Sequence, residues 1–146
     1  MKIREFIDAL AEEKIVEAVR AAESRTSGEI RVFVTRRKLR GEDLRTRALT
    51  EFERLHVGKT ALRNGVLFYI VPRDRTFTVI GDESIHALCG QGFWDETAAA
   101  MEKSFREGKF TEGLVAGVQR AGDIMARHFP RKKDDLNELP DELVRD

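Results

Sequence analysis

The sequence predicts an α/β fold: a three-layer α/β/α sandwich with a small mixed sheet between helices. Three observations lead there. Segments with apolar residues at helical spacing alternate with short β-branched and aromatic runs. The run Val66 to Val71 is apolar on both faces, as expected of a strand covered by helices on either side. Two strand candidates are separated by a helical segment and can lie parallel with a right-handed crossover, while a third follows a tight turn and runs back.

The elements follow in order. Ile3, Phe6, Ile7 and Leu10, then Ile15, Val16, Val19 and Ala22, recur at helical spacing, with Glu12, Glu13, Glu17 and Arg20 on the other side. The second apolar set does not continue the phase of the first, which places a break near Ala11. Thr26-Ser27-Gly28 stops the helix, and Glu29 to Thr35 alternates as a first strand. After the basic run Arg36 to Arg40, Asp43 is placed to cap a helix with Leu44, Ala48, Phe52 and Leu55 inward. Asn64-Gly65 breaks the chain before the second strand. Pro72 to Arg75 turns into Thr76 to Ile80, ended by Gly81-Asp82, so the second and third strands form a hairpin. The rest is helical: a short piece around Glu83 to Leu88, a helix with Trp94, Ala98, Met101 and Phe105 inward, then, past Gly108, one with Leu114, Val118, Ala121, Met125 and Phe129 inward. Residues 1–130 are therefore expected to form one α/β domain. The charged tail 131–146 has few apolar groups and is expected to be mobile or loosely docked.

Composition narrows the function. Among 146 residues, 26 basic side chains balance 26 acidic ones, so no global field favours nucleic acid or an anionic membrane. The single cysteine, Cys89, excludes an internal disulfide, and with three scattered histidines it makes no zinc spacing. The opening residues carry acids and lack the apolar core of a secretory signal, and no apolar run is long enough to cross a bilayer. A soluble, cytoplasmic protein without membrane insertion is expected.

Several local strings are decoys. Gly58-Lys59-Thr60 resembles the end of a phosphate-binding loop, but Glu53 stands where that motif needs its first glycine, and the string follows a helix rather than a strand. Cys89 lacks the arginine six residues later that a cysteine phosphatase cradle uses. The sequence has no Asp-x-Asp nucleophile and no Gly-x-Ser-x-Gly elbow. Arg36, Arg37, Lys38 and Arg40 have no interleaved aromatics and read as a solvated loop.

Strand direction does more. With the first two strands parallel and the third antiparallel, the start of strand one, the start of strand two and the end of strand three share one edge of the sheet. Glu29, Arg63, Asn64 and Asp82 become spatial neighbours, and Asp95, behind Gly90-Gln91-Gly92, could fold back to join them. Carboxylates with an amide oxygen form a hard-oxygen site suited to calcium or magnesium. The plainer reading is that Asp82 and Asp95 only cap helices.

Taken together, Thr26-Ser27-Gly28-Glu29-Ile30, Lys59-Thr60, Arg63-Asn64-Gly65-Val66-Leu67, Gly81-Asp82, Phe93-Trp94-Asp95, Phe105 with Gly108, Gly113 and Gly117, and Asn137 to Asp141 resemble the TPM domain. That family takes its name from a thylakoid lumen protein, a photosystem II repair protein and an acetylcholine-receptor modulator. The resemblance implies an α/β/α sandwich. It also implies acid phosphatase activity in plant lumen relatives and binding of calcium and other divalent ions in bacterial ones, while other members are accessories of membrane proteins. By match of position it favours Asp82 and Asp95 as ligands, with Glu29 and Asn64 as supporting neighbours. Three functions are thus expected in descending order: a calcium- or magnesium-binding module; a metal-assisted phosphatase in which Arg63 meets the substrate phosphoryl group; and a non-catalytic domain that docks an unidentified protein partner.

Overall fold

A computed structural model of the chain describes residues 10–60, 62–131 and 143–145. The elements are α1 (Glu12–Glu23), β1 (Ile30–Val34), α2 (Leu44–Arg54), β2 (Val66–Val71), β3 (Thr76–Gly81), α3 (Glu83–Arg106), α4 (Phe110–His128) and β4 (Val144–Arg145). Single 3-10 turns at Val57–Lys59 and Pro72–Asp74 precede β2 and β3. The break expected near Ala11 is present, since α1 begins at Glu12 with Ala11 extended before it. The residues expected to form the helix before that break, Ile3, Phe6 and Ile7, lie outside the described region.

The sheet has the order β3-β2-β1-β4. β1 and β2 are parallel, with Ile30 opposite Val66, and β2 and β3 are antiparallel, with Val66 opposite Gly81. Side-chain alternation along β2 divides the interior. Val66, Phe68 and Ile70 enter a core with Ile15, Val19, Trp94, Met101, Leu114 and Val118 from α1, α3 and α4. Leu67, Tyr69 and Val71 face the smaller core built on Ala48 and Phe52 of α2 and on Val57. Three layers result, as the two-sided apolarity of β2 requires. The larger core is tight because α4 presents glycines: a Cβ on Gly117 would lie 2.7 Å from Met101 Sδ of α3, and one on Gly122 2.6 Å from Ala22 Cβ of α1.

α3 is two helices in one. Gly90 has φ 70° and ψ 174°, a positive-φ conformation open to glycine, so the helix is interrupted for one residue between the segment opened by Asp82 and the segment carrying Trp94.

The described end of the charged tail lies on the sheet. Leu143 is buried in the larger core, and Val144–Arg145 pair in parallel with Phe33 and Val34 of β1. A tail rich in charge still holds one apolar dipeptide, and pairing with an open strand edge needs few residues because the main chain supplies the bonds. Residues 132–142, the remainder of that expectation, lie outside the described region.

Candidate functional site

The rim predicted from strand direction exists. Val66 N donates to Glu29 O at 2.8 Å, and Asp82 N donates to Gly65 O at 2.9 Å. Continuing the ladders by one step therefore puts Glu29, Gly65 and Asp82 in a single row across three strands. Neighbouring strands lie ~4.8 Å apart, so the two acidic residues start about 10 Å from each other with a glycine between. Alternation fixes their side. Ile30 and Gly81 face the larger core, where a Cβ on Gly81 would meet Trp94 Cζ2 at 2.7 Å; Glu29 and Asp82 therefore lie on the α2 side.

Gly65 shows what fills the gap on that side. A Cβ there would stand 2.4 Å from the carbonyl oxygen of Val57. The 3-10 turn Val57–Lys59 thus lays its main chain over the glycine, between the two acids. Gly58, next in that turn, faces Asp82, with its virtual Cβ 3.7 Å from Asp82 Oδ2. His56 enters the turn with φ 60°, a left-handed residue that brings the chain back over the sheet.

Asp82 both caps and remains unsatisfied. Its Oδ1 accepts from Glu83 N at 2.8 Å as the N-cap of α3. Among the described residues its buried Oδ2 has no hydrogen bond; Arg63 Nε stands 3.8 Å away as an ion-pair partner, and the residue is only 7% exposed. Burial pushes the carboxyl pKa above its ordinary value, against the Glu83 amide and Arg63, which pull it down. Arg63, at φ 54°, also reaches Glu83 at 3.7 Å, and its side chain is 55% exposed over the rim. Its carbonyl accepts from Ser84 N, and Ser84 Oγ donates to Leu62 O at 2.7 Å, which clamps the loop before β2 onto α3.

The other two predicted residues lie elsewhere. Asn64 is fully buried but alternates to the opposite side of the sheet, where its Nδ2 donates to Ser27 Oγ at 3.2 Å and its backbone N donates to Thr60 Oγ1 at 3.1 Å. Among the described residues its buried Oδ1 has no hydrogen bond, and neither does Trp94 Nε1. Asp95 is exposed on α3, accepting from Gln91 Nε2 at 2.9 Å. Among the described residues no three His, Cys, Asp or Glu side chains are grouped as a metal would require, so Asp95 does not complete a cage with Glu29 and Asp82. Asp95 begins one turn past the Gly90 kink, and helical periodicity turns it away from its neighbour Trp94, which is the residue that reaches the sheet. What the sequence did not disclose is the Val57–Lys59 turn, because a contact made by a backbone carbonyl leaves no mark on residue identity.

Among the described residues no helix is long and apolar enough to cross a membrane. Among curated proteins none matches the chain. A solved structure does: the BA42 protein from the psychrophilic bacterium Bizionia argentinensis, determined by NMR, is 41% identical, with a TM-score of 0.84 over 92% of each chain. The sequence description of the TPM domain matches residues 3–124, which takes in β1, β2, β3 and the whole rim. With this fold, this rim and these two matches, the chain belongs to the TPM domain family.

Proposed function

We propose that the protein binds a divalent cation, calcium in preference to magnesium, between Glu29 and Asp82 on the α2 side of the rim. The observation that carries this reading is Asp82 Oδ2, a buried carboxylate oxygen with no hydrogen-bond donor among the described residues, held beside a turn of main chain. An unsatisfied charged oxygen is costly in the interior, and a hard cation supplies the missing partner. Glu29, across Gly65, gives a second carboxylate, and main-chain oxygens of the Val57–Lys59 turn with water complete the shell. Two acids with irregular backbone suit the adaptable coordination of calcium better than the strict octahedron of magnesium. Asn64 then acts as a brace for the loop before β2, and Asp95 lies outside the site.

Titrating calcium into metal-free protein is expected to shift the amide signals of Glu29, His56 to Gly58, Gly65 and Asp82 to Ser84. Asp82→Asn is expected to remove that response while keeping the fold, since Asn caps a helix about as well as Asp. Absence of shifts at millimolar calcium and magnesium, or the same shifts in the variant, overturns the reading.

Arg63 supports a second reading, metal-assisted phosphoester hydrolysis, because its half-exposed guanidinium borders the same carboxylate. Release of phenolate from an aryl phosphate is then expected from the parent protein with calcium or magnesium and lost in Asp82→Asn; equal rates in both assign the activity to a contaminant.

A further inference from the structure

We propose a second site at the opposite end of the sheet, one that binds a compact soluble polyanion carrying two or more phosphate groups. It goes beyond the cation site and shares no residue with it. β1 and β2 begin beside the rim of Glu29 and Asn64 and end at Val34 and Val71, so the new site lies beyond the carboxyl ends of two parallel strands, where open α/β sheets place ligands.

The sequence shows a basic loop; the fold turns it into a hollow. Arg36, Arg37, Lys38 and Arg40 of the β1–α2 loop are joined by Arg47 of α2 and by Arg73 of the β2–β3 turn, lining a hollow of about 320 Å³ together with Leu39 and Glu42. Among the described residues, six cations and one acid line it. Two further acids close by are occupied by the backbone: Asp43 accepts from Thr46 N and Asp74 from Leu39 N. Among the described residues Arg37, Lys38, Arg40 and Arg73 make no ion pair. In a chain whose charges balance, this concentration is local rather than background.

The loop is also held in place. Arg47, whose side chain is only 10% exposed, donates to Lys38 O at 2.7 Å and pairs with Glu42 at 3.3 Å. The Leu39–Asp74 bond, at 2.7 Å, ties the loop to the turn that carries Arg73. Arg40 and Gly41 both have left-handed φ, 52° and 85°, and reverse the chain so that Glu42 N donates to Leu39 O. Cations gathered around a hollow repel one another, a multiply charged anion relieves that repulsion, and the held main chain of the loop lowers the ordering cost. The enclosing geometry, drawn from three elements, fits a small ligand of high charge better than the long stripe a nucleic acid strand would follow.

The test uses the whole protein in metal-free buffer at fixed ionic strength, with inorganic pyrophosphate and triphosphate as probes, followed by calorimetry and amide shifts. Expected are shifts confined to residues 36–42, 47 and 73–74, affinity rising from phosphate to pyrophosphate to triphosphate, and a loss of at least about tenfold in Arg37→Gln/Arg73→Gln. Asp82→Asn is expected to bind pyrophosphate as the parent does, which separates failure here from failure of the cation site. The proposal is overturned by unchanged affinity in the double variant, by shifts elsewhere, or by a response no larger than chloride gives. It is likewise overturned if an RNA oligonucleotide or phosphatidylserine vesicles bind while pyrophosphate does not.

Discussion

Gly65 is the residue on which the rim depends, because the carbonyl of Val57 occupies the space a side chain would need. The blocking atom is backbone, which cannot rotate away. Gly65→Ala is therefore expected to cost about 2–3 kcal/mol, the scale of overpacking in a tight interior, and to displace the turn that faces Asp82. Gly92 makes the control: it lies in α3 with nothing within 4 Å of a virtual Cβ, so Gly92→Ala is expected to stabilise by about 0.5–1 kcal/mol. Urea unfolding of both variants checks the pair, and a Gly65→Ala protein as stable as the parent would show the turn to be free to move. Asp82 carries a pH signature. Burial is the largest influence on it and raises its pKa above 3.8, so the native chain holds this proton more tightly than the unfolded chain does. Its charge thus weakens the fold at pH above the folded pKa, and the penalty disappears as pH falls below the unfolded value. In metal-free solution Asp82→Asn is expected to gain stability relative to the parent as pH rises from about 3 to 7. A variant that instead loses ground over that range would show the carboxylate to be stabilised where it stands.

At the level of elements, β4 is the strand that the sequence reading did not include. Leu143, buried at 7% exposure, anchors the strand that covers β1, and Leu143→Ala is expected to cost about 2 kcal/mol, the low end for a buried leucine at the margin of a core. Uncovering the β1 edge should also favour association between molecules, so chemical denaturation and light scattering together read the change. An unaltered midpoint with no scattering would mean the strand pairs without contributing. The helices were legible because their apolar stripes are long: Ala48 with Phe52, and Leu114, Val118, Ala121 and Met125, all face inward as their spacing requires. β4 was not, since a dipeptide has no period. The rim was legible in Glu29 and Asp82 because strand direction alone determines it. Asn64 escaped because an alternation of two sends neighbours to opposite faces, and Asp95 because a kink at Gly90 does not by itself say which way the following helix is turned.

Across the whole molecule, the sheet separates two kinds of chemistry. The carboxylate row and the basic hollow stand at opposite ends of β1, a strand of five residues and so about 17 Å apart, beyond the screening length of about 8 Å at physiological salt. Neither end feels the other's charge appreciably, so a ligand at one leaves the other free to act. β1 itself joins them, buried at every position and paired on both sides. Its main chain alternates in direction: Thr35 N donates to Ile70 O of β2, whereas Ile30 N, pointing to the outer edge, donates to the Glu23 carboxylate at 2.7 Å. The strand's amide protons consequently fall into two interleaved sets. Those of Arg31, Phe33 and Thr35 are sealed behind β2 and reach deuterium only when the sheet itself opens. Those of Val32 and Val34 are guarded on the side of a two-residue strand, so isotope exchange along this one segment should run fast and slow in turn, residue by residue.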